Sequence, residues 1–138
     1  MRACAFSALL LVTVLAAACS KDEATTTTAS TTTSPTTSTF ASRLTPTGAV
    51  SRSFTATKSG TVTVTLTAAG APSTRVGLGI GVPTSGIARC SLSSAITTVA
   101  GPAPQIVASV DAGDYCVAVY DVGSLAGEIT FDLTIVYP

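Results

Sequence analysis

The chain has 138 residues, of which 46% are hydrophobic and only 10% are charged, and its formal net charge at neutral pH is zero. It contains no histidine, which excludes catalytic triads and metal sites that depend on imidazole. The balance of seven basic and seven acidic residues leaves no excess of positive charge with which to bind nucleic acid.

The first 18 residues have the composition of a secretory signal peptide. Arg2 gives a positive start, and an apolar run extends from Ala3 to Leu15 before small residues lead to Cys19. A run of about thirteen residues matches a signal peptide and is shorter than the roughly 20 residues that a membrane-spanning helix needs. We therefore predict that residues 1–18 are removed and that the protein is exported.

Two modes of cleavage fit the residues around Cys19. Ala16–Ala18 satisfies the small-residue rule of ordinary secretion. The segment Leu15–Cys19 resembles the lipobox of bacterial lipoproteins, with the leucine one position further from the cysteine than usual, and this resemblance implies acylation of Cys19. Acylation would leave Cys90 and Cys116 to pair, whereas ordinary secretion would leave an odd thiol. We therefore predict lipidation at Cys19 and a location in the bacterial cell envelope, at the outer membrane or the cell surface.

Residues 19–47 are predicted to be the lipid-anchor cysteine followed by a disordered linker. Threonine makes up half of residues 24–47, and Phe40 and Leu44 are the only large apolar residues among them. Threonine favours extended backbone, but a strand needs an apolar face to bury, and this segment has little to offer. Such Ser/Thr-rich tracts act as spacers and also occur as O-glycosylated stalks, and both interpretations remain open.

Residues 48–138 show the alternation of apolar and polar side chains that is typical of β-strands. In residues 61–67, Val62, Val64 and Leu66 alternate with threonines, which places the apolar side chains on one face. Strands are predicted around residues 51–57, 61–67, 75–82, 106–110, 115–119 and 128–135, with a shorter one at 87–92. Turn residues separate these runs. They predict an all-β domain, an antiparallel β-sandwich of six to eight strands with an immunoglobulin-like or jelly-roll-like arrangement.

Two motifs in this region resemble a known family. Residues 59–66 (Ser-Gly-Thr-Val-Thr-Val-Thr-Leu) and 111–120 (Asp-Ala-Gly-Asp-Tyr-Cys-Val-Ala-Val-Tyr), with the final alternating strand, resemble the bacterial pre-peptidase C-terminal domain. That family is a small β-sandwich found beside secreted peptidases and other exported proteins. Residues 73–78 differ from the acidic, leucine-containing strand that is usual at this place, and no peptidase domain accompanies the motifs. The resemblance implies a β-sandwich module of an exported protein.

The spacing around Tyr115 also suggests an immunoglobulin-like feature. Asp111 lies four residues before Tyr115, as in the tyrosine corner. Cys116 follows the tyrosine directly, however, so it points to the opposite face, and Cys90 is too near in sequence for the usual disulfide between the two sheets. We predict a disulfide between Cys90 and Cys116 that ties the 87–92 region to the Tyr115 strand, since an exported chain matures under oxidising conditions.

The candidate ligand contacts lie on two of the predicted strands. Tyr120 is on the face opposite Tyr115, Val117 and Val119, so it is the aromatic residue best placed for exposure. Gly77, Gly79 and Gly81 share one strand face. Such a face either admits a ligand or another backbone closely or is covered by a neighbouring loop or sheet edge.

Acidic side chains near the predicted turns are candidates for a metal site. Asp111, Asp114 and Asp121 are the candidates for calcium, which needs several converging oxygen ligands. Three carboxylates alone are a sparse set, so we expect no metal and no other cofactor. We also expect no catalytic activity.

The predicted function is that of a non-catalytic binding or interaction module displayed on the cell envelope. Its expected partners are the membrane, through the lipid at Cys19, and a protein or glycan. The alternative is a structural or accessory domain that packs on a partner enzyme or assembles with copies of itself.

Overall fold

The computed structural model describes residues 34–85 and 89–138. The predicted signal peptide, Cys19 and the first part of the predicted linker lie outside the described residues. None of the described residues belongs to a helix with the length and hydropathy to span a bilayer.

The described residues form eight strands in two four-stranded antiparallel sheets. The strands are β1 (Thr36–Leu44), β2 (Ala49–Ala56), β3 (Gly60–Ala69), β4 (Val76–Pro83), β5 (Cys90–Thr98), β6 (Ile106–Val110), β7 (Gly113–Tyr120) and β8 (Ile129–Tyr137). Sheet 1 has the order β1-β8-β3-β6, and sheet 2 has the order β2-β7-β4-β5. The prediction of an antiparallel β-sandwich with six to eight strands is confirmed.

The core follows from the period-two alternation along each strand. Val62, Val64 and Leu66 of β3 are fully buried, as are Val117 and Val119 of β7. Burying each aliphatic side chain of this size contributes about 1.5–3 kcal/mol relative to leaving it in water. No charged or polar side chain of the described residues is buried, so the space between the sheets is filled by apolar groups alone.

Strand β1 corrects the predicted boundary between linker and domain. The prediction of a disordered linker up to residue 47 is wrong for Thr36–Leu44, which pairs with β8 along its whole length. Leu44 is fully buried, and the Phe40 ring packs edge-on against Phe131 with 5.6 Å between centroids. Two apolar side chains are sufficient here because β8 supplies an open edge for the backbone of β1 to pair with. The domain therefore begins well before Gly48.

Strand β5 also differs from its prediction. A short strand is expected at 87–92, but β5 runs from Cys90 to Thr98. Its residues from 91 to 97 are all exposed, because β5 is the last strand of sheet 2. An edge strand that buries so little has no apolar alternation by which its length could be predicted.

The two ends of the sandwich differ in their relation to the rest of the chain. β1 begins where β8 ends, so residue 34 and Pro138 lie at the same end, which we call the near end. The loops 45–48, 70–75, 99–105 and 121–128 lie at the opposite end, which we call the far end. The described part of the chain therefore starts at the near end.

Gln105 completes the edge of sheet 1 that β6 leaves open. The backbone N–H of Leu66 donates to Gln105 Oε1 at 2.7 Å, and Gln105 Nε2 donates to the Leu66 carbonyl oxygen at 3.3 Å. Strand β6 pairs with β3 only as far as Val64. The side-chain amide thus takes the place of a strand residue beside the buried Leu66.

We expect the substitution Gln105→Leu to lower the free energy of unfolding by about 1–3 kcal/mol, because the N–H of the fully buried Leu66 loses its acceptor. Gln105→Glu should cost less, since it keeps an acceptor for that N–H. Urea denaturation of the three proteins measures the difference. Unfolding free energies that agree within about 0.5 kcal/mol, the usual range for surface substitutions, would contradict this role.

Candidate functional site

The three glycines of β4 are covered and are not open to a ligand. A Cβ at Gly77 would overlap the ring of Tyr120, and a Cβ at Gly79 would lie 2.7 Å from a methyl carbon of Leu92. A Cβ at Gly81 would overlap the backbone carbonyl of Ser91. Of the two possibilities that the sequence leaves open, close approach of a ligand or coverage by another part of the chain, the structure shows the second. They allow Tyr120, Leu92 and the start of β5 to pack directly on the β4 backbone.

A disulfide joins the start of β5 to β7 close to Gly81. The predicted bond between Cys90 and Cys116 is present and joins β5 to β7, although β4 lies between these strands. The two Cα atoms are 5.8 Å apart, whereas strands on either side of a third are separated by roughly 9–10 Å in a flat sheet. The start of β5 therefore folds over the outer face of sheet 2. Cys90, Cys116 and Ala118 form a small buried cluster there.

Tyr120 forms one wall of a shallow cleft on this outer face. The side chain is half-buried, because its ring lies against Gly77. The cleft has a volume of about 310 Å³ and is lined by Thr47, Gly48, Ala49, Cys90, Leu92, Ala118, Tyr120 and Asp121. We call it the Tyr120 cleft. It contains the aromatic residue that the sequence indicates as a ligand contact, together with residues that the sequence does not indicate.

Thr47 is one of the residues that sequence reasoning missed. It lies in the turn between β1 and β2, which the N–H of Gly48 closes by donating to the Thr45 carbonyl at 2.9 Å. Thr47 has a φ of 59°, which is costly for a β-branched residue. Its position after Pro46 matches a type II turn, where glycine is usual at this place. The only sequence signal is the Pro-Thr-Gly order, which does not show the φ angle.

Asp121 holds the turn at Thr47 and the β7–β8 loop together. Its Oδ2 accepts the Thr47 N–H at 2.8 Å. Its Oδ1 accepts the N–H groups of Gly123 and Ser124, both at 2.9 Å, and of Leu125 at 3.2 Å. The hydrogen bond from Thr47 is the largest of the contributions that hold the pKa of Asp121 below its ordinary value of 3.8. The carboxylate is thus a structural acceptor for two far-end loops.

The candidate calcium ligands are not brought together. Asp111 accepts the Ser59 hydroxyl at 3.0 Å, and Asp114 accepts the Thr55 hydroxyl at 2.6 Å. Asp121 follows the end of β7, whereas Asp114 lies near its start. Because a strand rises about 3.3 Å per residue, the Cα atoms of these two residues are roughly 20 Å apart. No group of three potential metal ligands occurs among the residues in 34–85 and 89–138. The three weak candidates for calcium therefore do not converge on one site.

The tyrosine-corner contact is formed although the immunoglobulin disulfide is not. The Tyr115 hydroxyl donates to the Asp111 carbonyl oxygen at 3.2 Å, four residues upstream. Its ring stacks on Phe54 with 5.8 Å between centroids. Because Tyr115 points inward, Cys116 points outward into the cluster on the outer face, as the sequence predicts.

A second cavity, of about 490 Å³, lies at the far end between the β3–β4 and β7–β8 loops. It is lined by Ala71, Ser73, Thr74, Arg75, Ser124, Leu125, Ala126, Gly127, Glu128 and Ile129. The Ser124 hydroxyl donates to the Arg75 carbonyl at 2.6 Å, which joins the two loops. Glu128 forms an ion pair with Arg43 at 2.7 Å. The walls of this far-end cavity are more polar than those of the Tyr120 cleft and contain no aromatic side chain.

Comparison with family models found no match for this chain, and comparison with curated proteins found no similar sequence. The resemblance to the pre-peptidase C-terminal domain and to bacterial lipoproteins therefore stays a prediction.

None of the three cavities described for residues 34–85 and 89–138 contains a pair of carboxylates of the kind used in acid–base catalysis. Asp121 is the one carboxylate in the Tyr120 cleft, and Glu128 is the one in the far-end cavity. A third cavity, on the outer face of sheet 1, has only Asp132. Glycoside hydrolysis needs two carboxyl groups that face each other across the substrate.

We expect Asp121→Asn to lower the melting temperature at pH 7, because the amide is a weaker acceptor for the four N–H groups. The folded-state pKa of Asp121 lies below 3.8, so its stabilisation is present above that pH and is lost as the pH falls through the folded pKa. The difference between the two proteins should therefore shrink below about pH 4. Melting curves from pH 2 to pH 7 test this, with Asp132→Asn as a control for the loss of one exposed charge. A constant difference across that range would refute the assignment.

Proposed function

We propose that the chain is a non-catalytic binding module of an exported bacterial lipoprotein, displayed on the envelope through a lipid at Cys19. The Tyr120 cleft carries this proposal. Its walls are mainly apolar, from Leu92, Ala118 and Tyr120, and its polar groups come from Thr47 and Asp121 at one side. A concave, mostly apolar surface with a few placed polar groups is the usual form of a recognition site.

The dimensions of the cleft favour a protein partner. A volume of about 310 Å³ is at the lower end of the range for ligand pockets and suits one protruding side chain. Sugar rings usually stack on an exposed aromatic face, whereas the Tyr120 ring lies against Gly77. Leu92, beside it, is 36% exposed and offers an apolar contact. We therefore propose that the partner is a protein that inserts an apolar side chain.

The cleft is held in its shape before any ligand arrives. Asp121 ties Thr47 to the β7–β8 loop, and the disulfide fixes the side of the cleft formed by Cys90 and Leu92. A preformed site loses little conformational entropy on binding. The left-handed φ of Thr47 is costly, and backbone strain of this kind is concentrated at functional sites. Both features support a binding role for this side of the domain.

The position of the cleft fits display from a tether. Thr47, Ala49 and Tyr120 lie toward the far end of the sandwich, whereas residue 34 enters at the near end. An anchor at Cys19 would thus connect to the domain through the end opposite this part of sheet 2.

Photo-crosslinking in the producing cells tests the binding role. p-Benzoylphenylalanine is introduced in place of Ala49, an exposed residue of the cleft, or in place of Val107, which is 65% exposed on sheet 1. We expect irradiation to give a discrete adduct with a second protein from position 49 and none from position 107. Equal labelling from both positions, or no adduct from either, would overturn the proposal.

The anchor is tested by the intact mass of the protein purified from its own host. A diacyl or triacyl addition at Cys19 is the expected result. An unmodified chain that begins at Cys19 or later would show a freely secreted protein. The lipid-anchored part of the proposal would then be wrong, while the role of the cleft would be judged separately by the crosslinks.

A further inference from the structure

Strand β5 is an open edge of sheet 2. It pairs with β4 on one side, and no strand from residues 34–85 or 89–138 pairs with its other side. Its nine residues, Cys-Ser-Leu-Ser-Ser-Ala-Ile-Thr-Thr, include no charged residue and no proline. Exposed edges of this length are normally blocked by lysine, by proline or by a covering segment, since their unpaired backbone groups are a template for another strand.

The other three outer strands of the sandwich each have such protection. On the side formed by β1 and β2, the Arg52 guanidinium lies over the Phe40 ring, 5.7 Å from its centroid, and joins the two edges. β1 also carries Arg43, paired with Glu128. On the other side of sheet 1, β6 has only five residues, and Gln105 takes the next backbone groups of β3. The lack of protection is therefore specific to the β5 edge and is not shared by the other edges of the sandwich.

β5 is also held rigidly and carries apolar side chains beside its open edge. The disulfide fixes its first residue to β7, and the Ser93 hydroxyl donates to the Ile80 carbonyl at 3.1 Å. Ile96 is 36% exposed and Val99 is 39% exposed. A fixed strand loses little entropy when another strand pairs with it, and burial of Ile96 would add an apolar contribution.

We propose that a second copy of this chain pairs with β5, strand against strand, to make one continuous sheet from the two copies of sheet 2. The pairing runs through Ser94–Thr98, because a bulge at Ser93 shifts the register of the first half of β5. A twofold axis at Ile96 places this residue opposite itself in the antiparallel pair. It also places Ser94 opposite Thr98 and Ala95 opposite Thr97. The hydroxyl side chains of Ser94 and Thr98 then meet each other, the two Ile96 side chains meet each other, and the Ala95 methyl group meets the Thr97 side chain.

Charge and display both favour a copy of the same chain as the occupant. The described residues include five basic and five acidic side chains, so two domains have no net charge to repel one another. A partner with a charged strand would gain nothing from an edge that offers no opposite charge. If the chains are tethered, as proposed above, their confinement to one surface would raise their effective concentration. The pairing itself does not depend on the Tyr120 cleft or on its ligand.

Cysteine crosslinking of the full chain in its own cells tests this pairing. Residues directly opposite in an antiparallel pair have Cβ atoms about 4.5–5.5 Å apart, within reach of a disulfide after small adjustments. We expect Ile96→Cys to migrate mainly at twice the chain mass without reductant and as a single chain with it. Val107→Cys, more exposed but on sheet 1, should stay a single chain. The unsubstituted protein gives the background from Cys19.

A second variant guards against a chance disulfide. Ile96→Lys places two positive charges opposite each other and should reduce the protein to a monomer in sedimentation velocity, while the unsubstituted chain sediments as a dimer. A monomeric unsubstituted chain, or Ile96→Cys joined to a different protein, would overturn the proposal. Neither outcome affects the crosslinks from Ala49, so the two proposals stand or fall separately.

Discussion

Removing the disulfide with the double substitution C90A/C116A is expected to lower the free energy of unfolding by about 3–4 kcal/mol, the value of the chain-entropy model for cysteines 26 positions apart. Small domains are stable by only about 5–15 kcal/mol in total, so this is a large share. The loss has a local cause as well, since the bond holds the start of β5 against the outer face of sheet 2.

Guanidinium denaturation of the oxidised protein, the reduced protein and the double variant measures this effect. Reduction of the unsubstituted chain should destabilise it nearly as much as the substitution does, because both open the same loop. If the oxidised and reduced proteins unfold at the same denaturant concentration, the bond contributes nothing and its role as a staple is wrong.

The second large effect is expected from Gly81→Ala. The added methyl group would overlap the carbonyl of Ser91 and lie 2.7 Å from the Cα of Leu92. Both are backbone atoms, which cannot rotate away as the end of a side chain can. We expect the free energy of unfolding to fall by about 3 kcal/mol, at the upper end of the range for overpacked sites. Thermal unfolding measures it, and Gly127→Ala is the matched control because nothing lies within 4 Å of its Cβ position.

Combining the two changes shows whether the disulfide is what presses β5 onto Gly81. Without the bond, the start of β5 can move outward, so Gly81→Ala should cost less in the C90A/C116A background than in the unsubstituted chain. Groups in direct contact typically show coupling of about 0.5–3 kcal/mol in such a cycle. If the losses of unfolding free energy from the two changes simply add, β5 keeps its place without the disulfide.

Local patterns in the sequence predict most of the strands and the covalent link. Val62, Val64 and Leu66 predict β3 because alternation alone decides which face of a strand is apolar. Tyr115 and Cys116, as neighbours on one strand, must point to opposite faces, and this predicts both the inward tyrosine and the outward disulfide. These features depend on residues that are adjacent in the chain.

The candidate site could be predicted only in part. Tyr120 is identified by its place on the outer face of its strand, but Leu92 and Thr47 are not, because they reach the cleft from other parts of the chain. For the same reason the sequence leaves open whether the glycines of β4 admit a ligand or are covered. A flat strand face shows that something comes close, and it does not show whether this is a ligand, a side chain or another strand.

The sequence by itself determined the all-β class, the pairing of Cys90 with Cys116 and the faces of the central strands, since period-two alternation acts within single strands. The tertiary structure alone decided that Thr36–Leu44 is a strand, because its pairing edge on β8 lies at the other end of the domain sequence. It also decided that Asp121 binds the Thr47 N–H, 74 positions away, and that β5 is left open. Contacts of this kind depend on which strands become neighbours, and that is settled only when the whole sandwich packs.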